Sequence, residues 1–296
     1  MDIFLPSLLN GLVNGSAFAL VALGFALICN TTRFFHFAHG GVYVFSGYIF
    51  YTFYTQLGLS IWLALPCTMI LAAIAGILID LIIYQPLGRH GASPTMHMLS
   101  SLGLYIIIVN VLCMIYDDQS KALVSSLPST IEFCGLNVSG VRIATIITFV
   151  VVFIGFSVAL RYSSLGLKLR AMRDNPVLLS LYGINPYTIR LFVFSIGSAL
   201  CALASILIGL DIGINPNVGM TAVITAAVAL IVGGMGNFKG AVWAALALGC
   251  LQSITVWQMS DPWKDMVTFL VLMLFLLVRP QGITGRKGRL EEGGNT

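Results

Sequence analysis

Nine apolar runs follow one another along this chain with little between them, near 6–29, 37–57, 61–84, 95–116, 141–160, 190–210, 219–233, 237–257 and 263–279. A bilayer core about 30 Å thick is crossed by about 20 apolar helical residues, and backbone in lipid must satisfy its own polar groups. Those two constraints leave one architecture: an all-α integral membrane protein, a polytopic helical bundle. The seventh run is short and bounded by glycine. It and the second are the best candidates for broken or re-entrant helices, which sets the expected count at eight to nine spans. Only 9% of the residues are charged, against about 25% in soluble domains, so residues 1–296 read as a single transmembrane domain. The N-terminus, "MDIFLPSLLNGLVNG", lacks a basic leader and a small-residue cleavage site, and reads as a first span.

Charge sorts the loops. With nine spans and the N-terminus outside, the inner loops and the basic tail 280–296 hold Arg33, Arg89, Arg161, Lys168, Arg170, Arg173, Arg190, Lys239, Arg279, Arg286, Lys287 and Arg289. Only Lys121, Arg142 and Lys264 fall outside. Twelve cations against three predict an outer N-terminus and a cytoplasmic C-terminus. The largest outer loop, about 117–140, is polar and could receive an external partner.

One inner loop, 161–190, is long and internally punctuated. Within "NPVLLSLYG", Asn175 suits an N-cap, Pro176 the first helical position and Gly183 a left-handed C-terminal cap. Asn185–Pro186 then opens the next span. The enclosed helix, about 176–182, is too short to be stable alone, yet Val177, Leu178, Leu179 and Leu181 make it apolar. It either lies on its own bilayer or docks a cytoplasmic protein.

A second unusual stretch is "RFFHFAHGGVYVFSG", 33–47, with two histidines and a double glycine at the mouth of a span. Its glycines permit a tight turn and close backbone approach. His36 and His39 resemble half a metal site, but no third ligand or acidic neighbour lies near in sequence. Among the six cysteines there is no CxxC and no His/Cys ligand spacing, so neither a disulfide framework nor a zinc site follows.

The motif returns. His39-Gly40-Gly41-Val42-Tyr43 and Lys239-Gly240-Ala241-Val242-Trp243 both read basic–glycine–small–valine–aromatic, and both enter the membrane from the inner side. Parallel internal repeats are one transporter architecture. The expectation is that 33–41 and 233–240, with His39, Gly40, Gly41, Gly236, Lys239 and Gly240, sit together as a gate of broken helices.

Catalytic and energy-transducing signatures are missing. "GGMGNFKGA", 233–241, fails the phosphate-loop pattern because Lys239 precedes glycine where Ser or Thr is required. No HExxH or GxSxG occurs. Asp80 is the one carboxylate well inside a run, placed to pair with Arg89. Asn14, Ser16, Asn110, Thr221, Thr225, Gln252 and Ser253 are polar residues within spans. They serve either as inter-helical hydrogen bonds or, for Asn14, Asn110, Thr221 and Thr225, as the lining of a path for a small zwitterion. Gly11 and Gly15 form a GxxxG pair that marks close helix packing.

Five segments in order, "FAHGG", "YQPLGRHG", "GLKLRAMRDNPVLLSLYGINPYTIR", "AVALIVGGMGNFKGAVWAALALG" and "RPQGITG", resemble the permeases of branched-chain amino-acid ABC importers, in particular the shorter, LivH-like type. The resemblance runs from about residue 8 to 285. It implies a bacterial inner-membrane permease that carries no cofactor, ATP being bound by two separate cytoplasmic ATPase subunits. A second homologous permease and an external solute-binding protein are the other implied partners. It also implies that the loop 166–185 meets the ATPase, through Arg170, Ala171, Asn175, Gly183 and Ile184 at matching positions and, with them, Pro176, Leu178 and Leu179 of the short helix. Where relatives commonly carry Asn before "FAHG", this chain has His36. Permeases of urea or short-amide importers share the pattern. A self-sufficient secondary carrier, or an intramembrane enzyme using His36 and His39, are the readings from other classes.

Overall fold

Apolar length governs the fold. A computed structural model describes residues 4–123, 130–133, 136–279 and 281–283. The tail 284–296 and part of the loop 117–140 lie outside the described residues. Each of the nine runs becomes a helix whose ends, π-turns included, fall within five residues of those read from hydropathy. They are α1 (Phe4–Thr32), α2 (Ala38–Tyr51, extended by a π-turn Thr52–Gln56), and α3 (Ile61–Ile79), which continues through a π-turn Asp80–Tyr84 into α4 (Gln85–Arg89). Then come α5 (Pro94–Tyr116), α6 (Gly140–Tyr162), α9 (Pro186–Ile212), α10 (Val218–Gly233), α11 (Phe238–Gln258) and α12 (Trp263–Val278). Between α6 and α9 lie two short helices, α7 (Ser164–Asp174) and α8 (Pro176–Leu181). Among the described residues, six helices are long and apolar enough to cross a bilayer by length and composition. The passages through α2, α10 and α12 are shorter.

Local punctuation starts many of these helices. Ser93, Ser139, Ser163, Asn185 and Asn237 each accept a hydrogen bond from a backbone N–H of the following first turn. Proline stands at the first position of α5 and α9.

Burial sorts the helices into a centre and a rim. Most of α1 is buried, as are the middles of α9 and α10, whereas α5 and α6 are exposed along almost their whole length. The α1 GxxxG pair does what its spacing predicts: a Cβ on Gly249 of α11 would lie 2.3 Å from the Cα of Gly15, and one on Gly11 would lie 2.6 Å from the Cα of Cys250. The two helices therefore touch backbone to backbone. Gln252 donates to Thr268 (2.7 Å) and Ser253 to the Ser7 carbonyl (2.6 Å), binding α11 to α12 and to α1.

The two ends of the bundle are tied differently. At one end Arg142 pairs with Asp211 (3.0 Å) and donates to Asn10 (2.7 Å), linking the starts of α6 and α1 with the end of α9. A small antiparallel hairpin, β1 (Thr130–Phe133) and β2 (Leu136–Ser139), leads into α6 there. The other end gathers Arg33, Arg161, Arg170, Arg173 and Lys239 around the ends of α1, α6 and α7 and the start of α11.

Candidate functional site

The histidine stretch is an interior break. After α1 ends at Thr32, Arg33 adopts φ 62°, a left-handed turn uncommon for a residue with a Cβ. The chain then folds back into the bundle before α2 begins at Ala38. The ring of His39 lies 6.0 Å from that of Phe25, while Gly236, just ahead of α11, bonds Asn30. Along α1, α2 thus starts deeper in the bundle than α11 does.

Backbone freed at that depth needs protein partners. Phe37, which precedes α2, gives no side-chain cap. Instead Ser101 of α5 accepts from the Phe37 N–H (3.1 Å) and donates toward the carbonyls of Met98 (2.7 Å) and Phe35 (3.3 Å). His39 and Gly40 N–H groups close tight turns onto His36 and Phe37 (3.1 and 3.0 Å). Cys201 of α9 donates to the His39 carbonyl.

Gly40 and Gly219 cross backbone to backbone. A Cβ on Gly40 would sit 2.6 Å from the Gly219 oxygen, and one on Gly219 would sit 2.5 Å from the Gly40 oxygen. At the far end of α10, a Cβ on Gly233 would sit 2.3 Å from the carbonyl carbon of Gly240. The two motifs therefore grip opposite ends of α10, about 21 Å apart by helical rise. Of the stretches 33–41 and 233–240, expected to sit together, 33–35 and 235–236 line one cavity, while Gly40 and Gly240 are held apart. Around that cavity Asn30 accepts from the Gly236 N–H (3.0 Å), Arg173 donates to the Gly236 carbonyl (2.9 Å), and Arg33 donates to the Arg173 carbonyl (2.9 Å). Gly41 packs against Ile108 of α5, and Lys239 is exposed.

His36 and His39 are fully buried with ring centroids 5.9 Å apart. His36 shares a 2.8 Å hydrogen bond with the hydroxyl of Tyr84, and its ring meets those of Tyr84 and Phe194 edge-on. Among the described residues, no group of three His, Cys, Asp or Glu side chains comes together as a metal site. Tyr84 closes the π-turn that begins at Asp80, and π-turns of this kind are frequent at functional sites.

Asp80 is fully buried and ion-paired with Arg190 of α9, and it accepts a second bond from Gln85 (3.0 Å). The expected partner, Arg89, is not the one used. A buried carboxylate requires a countercharge, and Arg190 reaches it across 110 residues of sequence. Sequence reading placed Arg190 among loop cations and missed this pair.

The inner loop is more structured than its punctuation revealed. α7 was not anticipated, although Ser163 as cap and Leu165, Leu169 and Met172 at helical spacing signal it. α8 matches its reading closely. Asn175 accepts from the Leu178 N–H (3.0 Å), the Gly183 N–H reaches the Ser180 carbonyl (3.0 Å), and the Ile184 N–H reaches the Leu179 carbonyl (3.4 Å), with Gly183 at φ +76°. That is a complete Schellman ending. Leu179 is 4% exposed and anchors α8 on a cluster with Met172, Ile184 and Ile189. Leu178, Leu181 and Tyr182 are 50%, 78% and 78% exposed. Arg170 donates to the Leu160 carbonyl (2.7 Å), and Ala171 packs on the same cluster as Leu179.

The four path candidates separate. Thr225 is buried and Thr221 partly buried, one turn apart on α10. Asn14 and Asn110 are exposed on the outer faces of α1 and α5, and the Asn110 amide donates back to Ile106 (2.8 Å).

A bundle with a short interior helix gripped at both ends, and an externally displayed two-turn helix, has the form of a polytopic permease. One solved structure, "PsaBC from Streptococcus pneumoniae in complex with Fab", is similar over 92% of this chain and 91% of that one, with TM-score 0.51 at 12% identity, a likeness of fold. The family described as "Branched-chain amino acid transport system / permease component" matches residues 7–276. The high-affinity branched-chain amino acid transport system permease protein BraD of Pseudomonas aeruginosa is 34% identical over 96% of both chains. LivH of Salmonella typhimurium is 30% identical over 96% of both, and the probable LivH of Methanocaldococcus jannaschii is 26% identical over 93% of this chain and 91% of its own. The chain belongs to this permease family.

Proposed function

We propose that this chain is the membrane-crossing subunit of an ATP-driven importer for branched-chain or related small amino acids. In this reading it works beside a second homologous permease, two cytoplasmic ATPase subunits that bind the ATP, and an external solute-binding protein. The basic end of the bundle is the cytoplasmic face, and the N-terminus lies outside.

The observation that carries the reading is α8. Exposed apolar surface on a rigid element marks a contact, and Leu178, Leu181 and Tyr182 stand out from a helix whose other face is anchored by Leu179. ATPase closure would press on α8. Through Ile189 of the same cluster the push reaches α9, which holds Asp80 by Arg190 and the His39 carbonyl by Cys201. α2 and α10, locked at Gly40 and Gly219, would then move as a unit and alter access past Thr221 and Thr225.

The test is co-purification with candidate ATPases, followed by ATP hydrolysis with and without loaded binding protein. Leu178→Asp with Leu181→Asp should reduce ATPase recovery tenfold or more, the loss of at least 1.4 kcal/mol of association, while the permease still purifies intact. Stimulation by leucine-loaded protein supports the cargo assignment, and stimulation only by urea or a short amide moves it to that branch. No stimulation by any ligand, with uptake by the lone chain under an ion gradient, makes it a secondary carrier.

A further inference from the structure

One cavity lies apart from the proposed transport path at Thr221 and Thr225. It occupies about 620 Å³ between the last turns of α6, the face of α7 and the start of α11. That volume suits a ligand of small-molecule size. Four cations line it, Arg161, Arg170, Arg173 and Lys239, and among the described residues no carboxylate does. Asp174, outside the lining, is bound to the Arg173 Nε (3.1 Å).

The floor is of opposite character. Phe156 and Phe238 meet edge-on there, with centroids 5.7 Å apart. Val158, itself part of the lining, is 50% exposed on the outer face of α6, where Ile154 above it is 57% exposed. The wall of the cavity thus continues onto an exposed apolar side of the bundle. Arg170 and Arg173 are each fixed by one bond to a carbonyl, Leu160 and Gly236. A guanidinium has five donors, so each retains others for a phosphate. Guanidinium forks match phosphate oxygens in geometry as well as charge.

We propose that this cavity holds an anionic phospholipid of the leaflet at the basic end, its phosphate among Arg161, Arg170, Arg173 and Lys239 and its acyl chains running out along Val158 of α6. A water-soluble phosphate compound would satisfy the cations but leave the apolar wall and its continuation to the bilayer without a function. The lipid would brace α7 against α6, independently of which solute is carried. Basic pockets between membrane helices take anionic head groups in this way.

The test uses the full chain purified in neutral detergent, offered dioleoylphosphatidylglycerol or dioleoylphosphatidylcholine, with bound lipid counted by native mass spectrometry. The expected result is about tenfold preference for phosphatidylglycerol, lost in the double variant R161Q/K239Q and kept in the charge-preserving R161K/K239R. Excess inorganic phosphate should not displace the lipid. Equal retention of both lipids, full retention by R161Q/K239Q, loss in R161K/K239R, or displacement by phosphate would each overturn the proposal. A photoactivatable phosphatidylglycerol on the unsubstituted protein gives a readout that no folding defect can affect. Labelling should fall within 156–170 and 236–239, and labelling confined to other segments refutes the site.

Discussion

Two helices of this permease begin with the same pattern and solve the same problem in opposite ways. α11 starts at the edge of the bundle with its cap encoded three residues before Gly240: Asn237 accepts from the N–H groups of Lys239 and Gly240 (3.1 and 3.4 Å). α2 starts deeper along α1 with no side-chain cap of its own, and its freed backbone is served by Ser101 of α5 and Cys201 of α9. The edge start is a local structure that water can repair. The interior start exists only while its neighbours hold it, so it can respond to their movement.

The largest effect expected from this contrast is at the glycine crossing. Gly40→Leu drives a side chain into the Gly219 backbone, where even a Cβ would lie 2.6 Å from the oxygen. Overpacking of a close contact costs roughly 1–3 kcal/mol, and α2 and α10 can no longer cross as they do. Uptake should be abolished, while detergent-extracted protein remains monodisperse with a lowered melting temperature. Normal uptake by this variant would show that the interior start has no role in transport.

Next in size is the link from the interior start to the π-turn. Tyr84→Phe removes the 2.8 Å partner of the buried His36 Nδ1. An unpaired buried polar group costs about 1–3 kcal/mol, read as a fall in thermal stability. Tyr162→Phe, at an exposed position, should leave the melting temperature unchanged. Equal effects would mean that the His36 bond contributes nothing specific.

How much of this could be read from the chain follows the same division. Span limits and the whole of α8 were legible because apolar length, Asn175, Pro176 and Gly183 act within a few residues of themselves. The break at 33–41 was legible as a break, since histidines and paired glycines have no business on a lipid-facing helix. Its partners were not. Ser101, Gly219 and Cys201 are ordinary residues in their own segments, and only the folded bundle brings them to Gly40 and His39. Arg190 was hidden because a long cation near a span end reads as a loop charge, when here it reaches inward to Asp80. α7 is hidden because Lys168, Arg170, Arg173 and Asp174 crowd its eleven residues and mask the helical spacing of Leu165, Leu169 and Met172.

A third comparison tests the caps themselves. Ser101→Ala leaves the Phe37 N–H without an acceptor inside the bundle, which should cost about 1–2 kcal/mol and impair uptake several-fold. The Phe35 carbonyl would lose its donor as well.

The smallest effect is expected at the corresponding edge position. Asn237→Ala removes a cap worth typically about 1 kcal/mol, but Asn237 is only partly buried and Lys239 beside it is exposed. Water can therefore reach the N–H groups that lose their acceptor, and the cost should fall at the low end, about 0.5 kcal/mol. Uptake should stay within twofold of the unsubstituted protein, because the first turn of α11 is still held by the Gly233 crossing and by the Asn30 bond to Gly236. If Asn237→Ala instead matched Ser101→Ala in both stability and uptake, depth in the bundle would not distinguish the two starts. The equivalence suggested by their shared pattern would then be functional and not only a likeness of sequence.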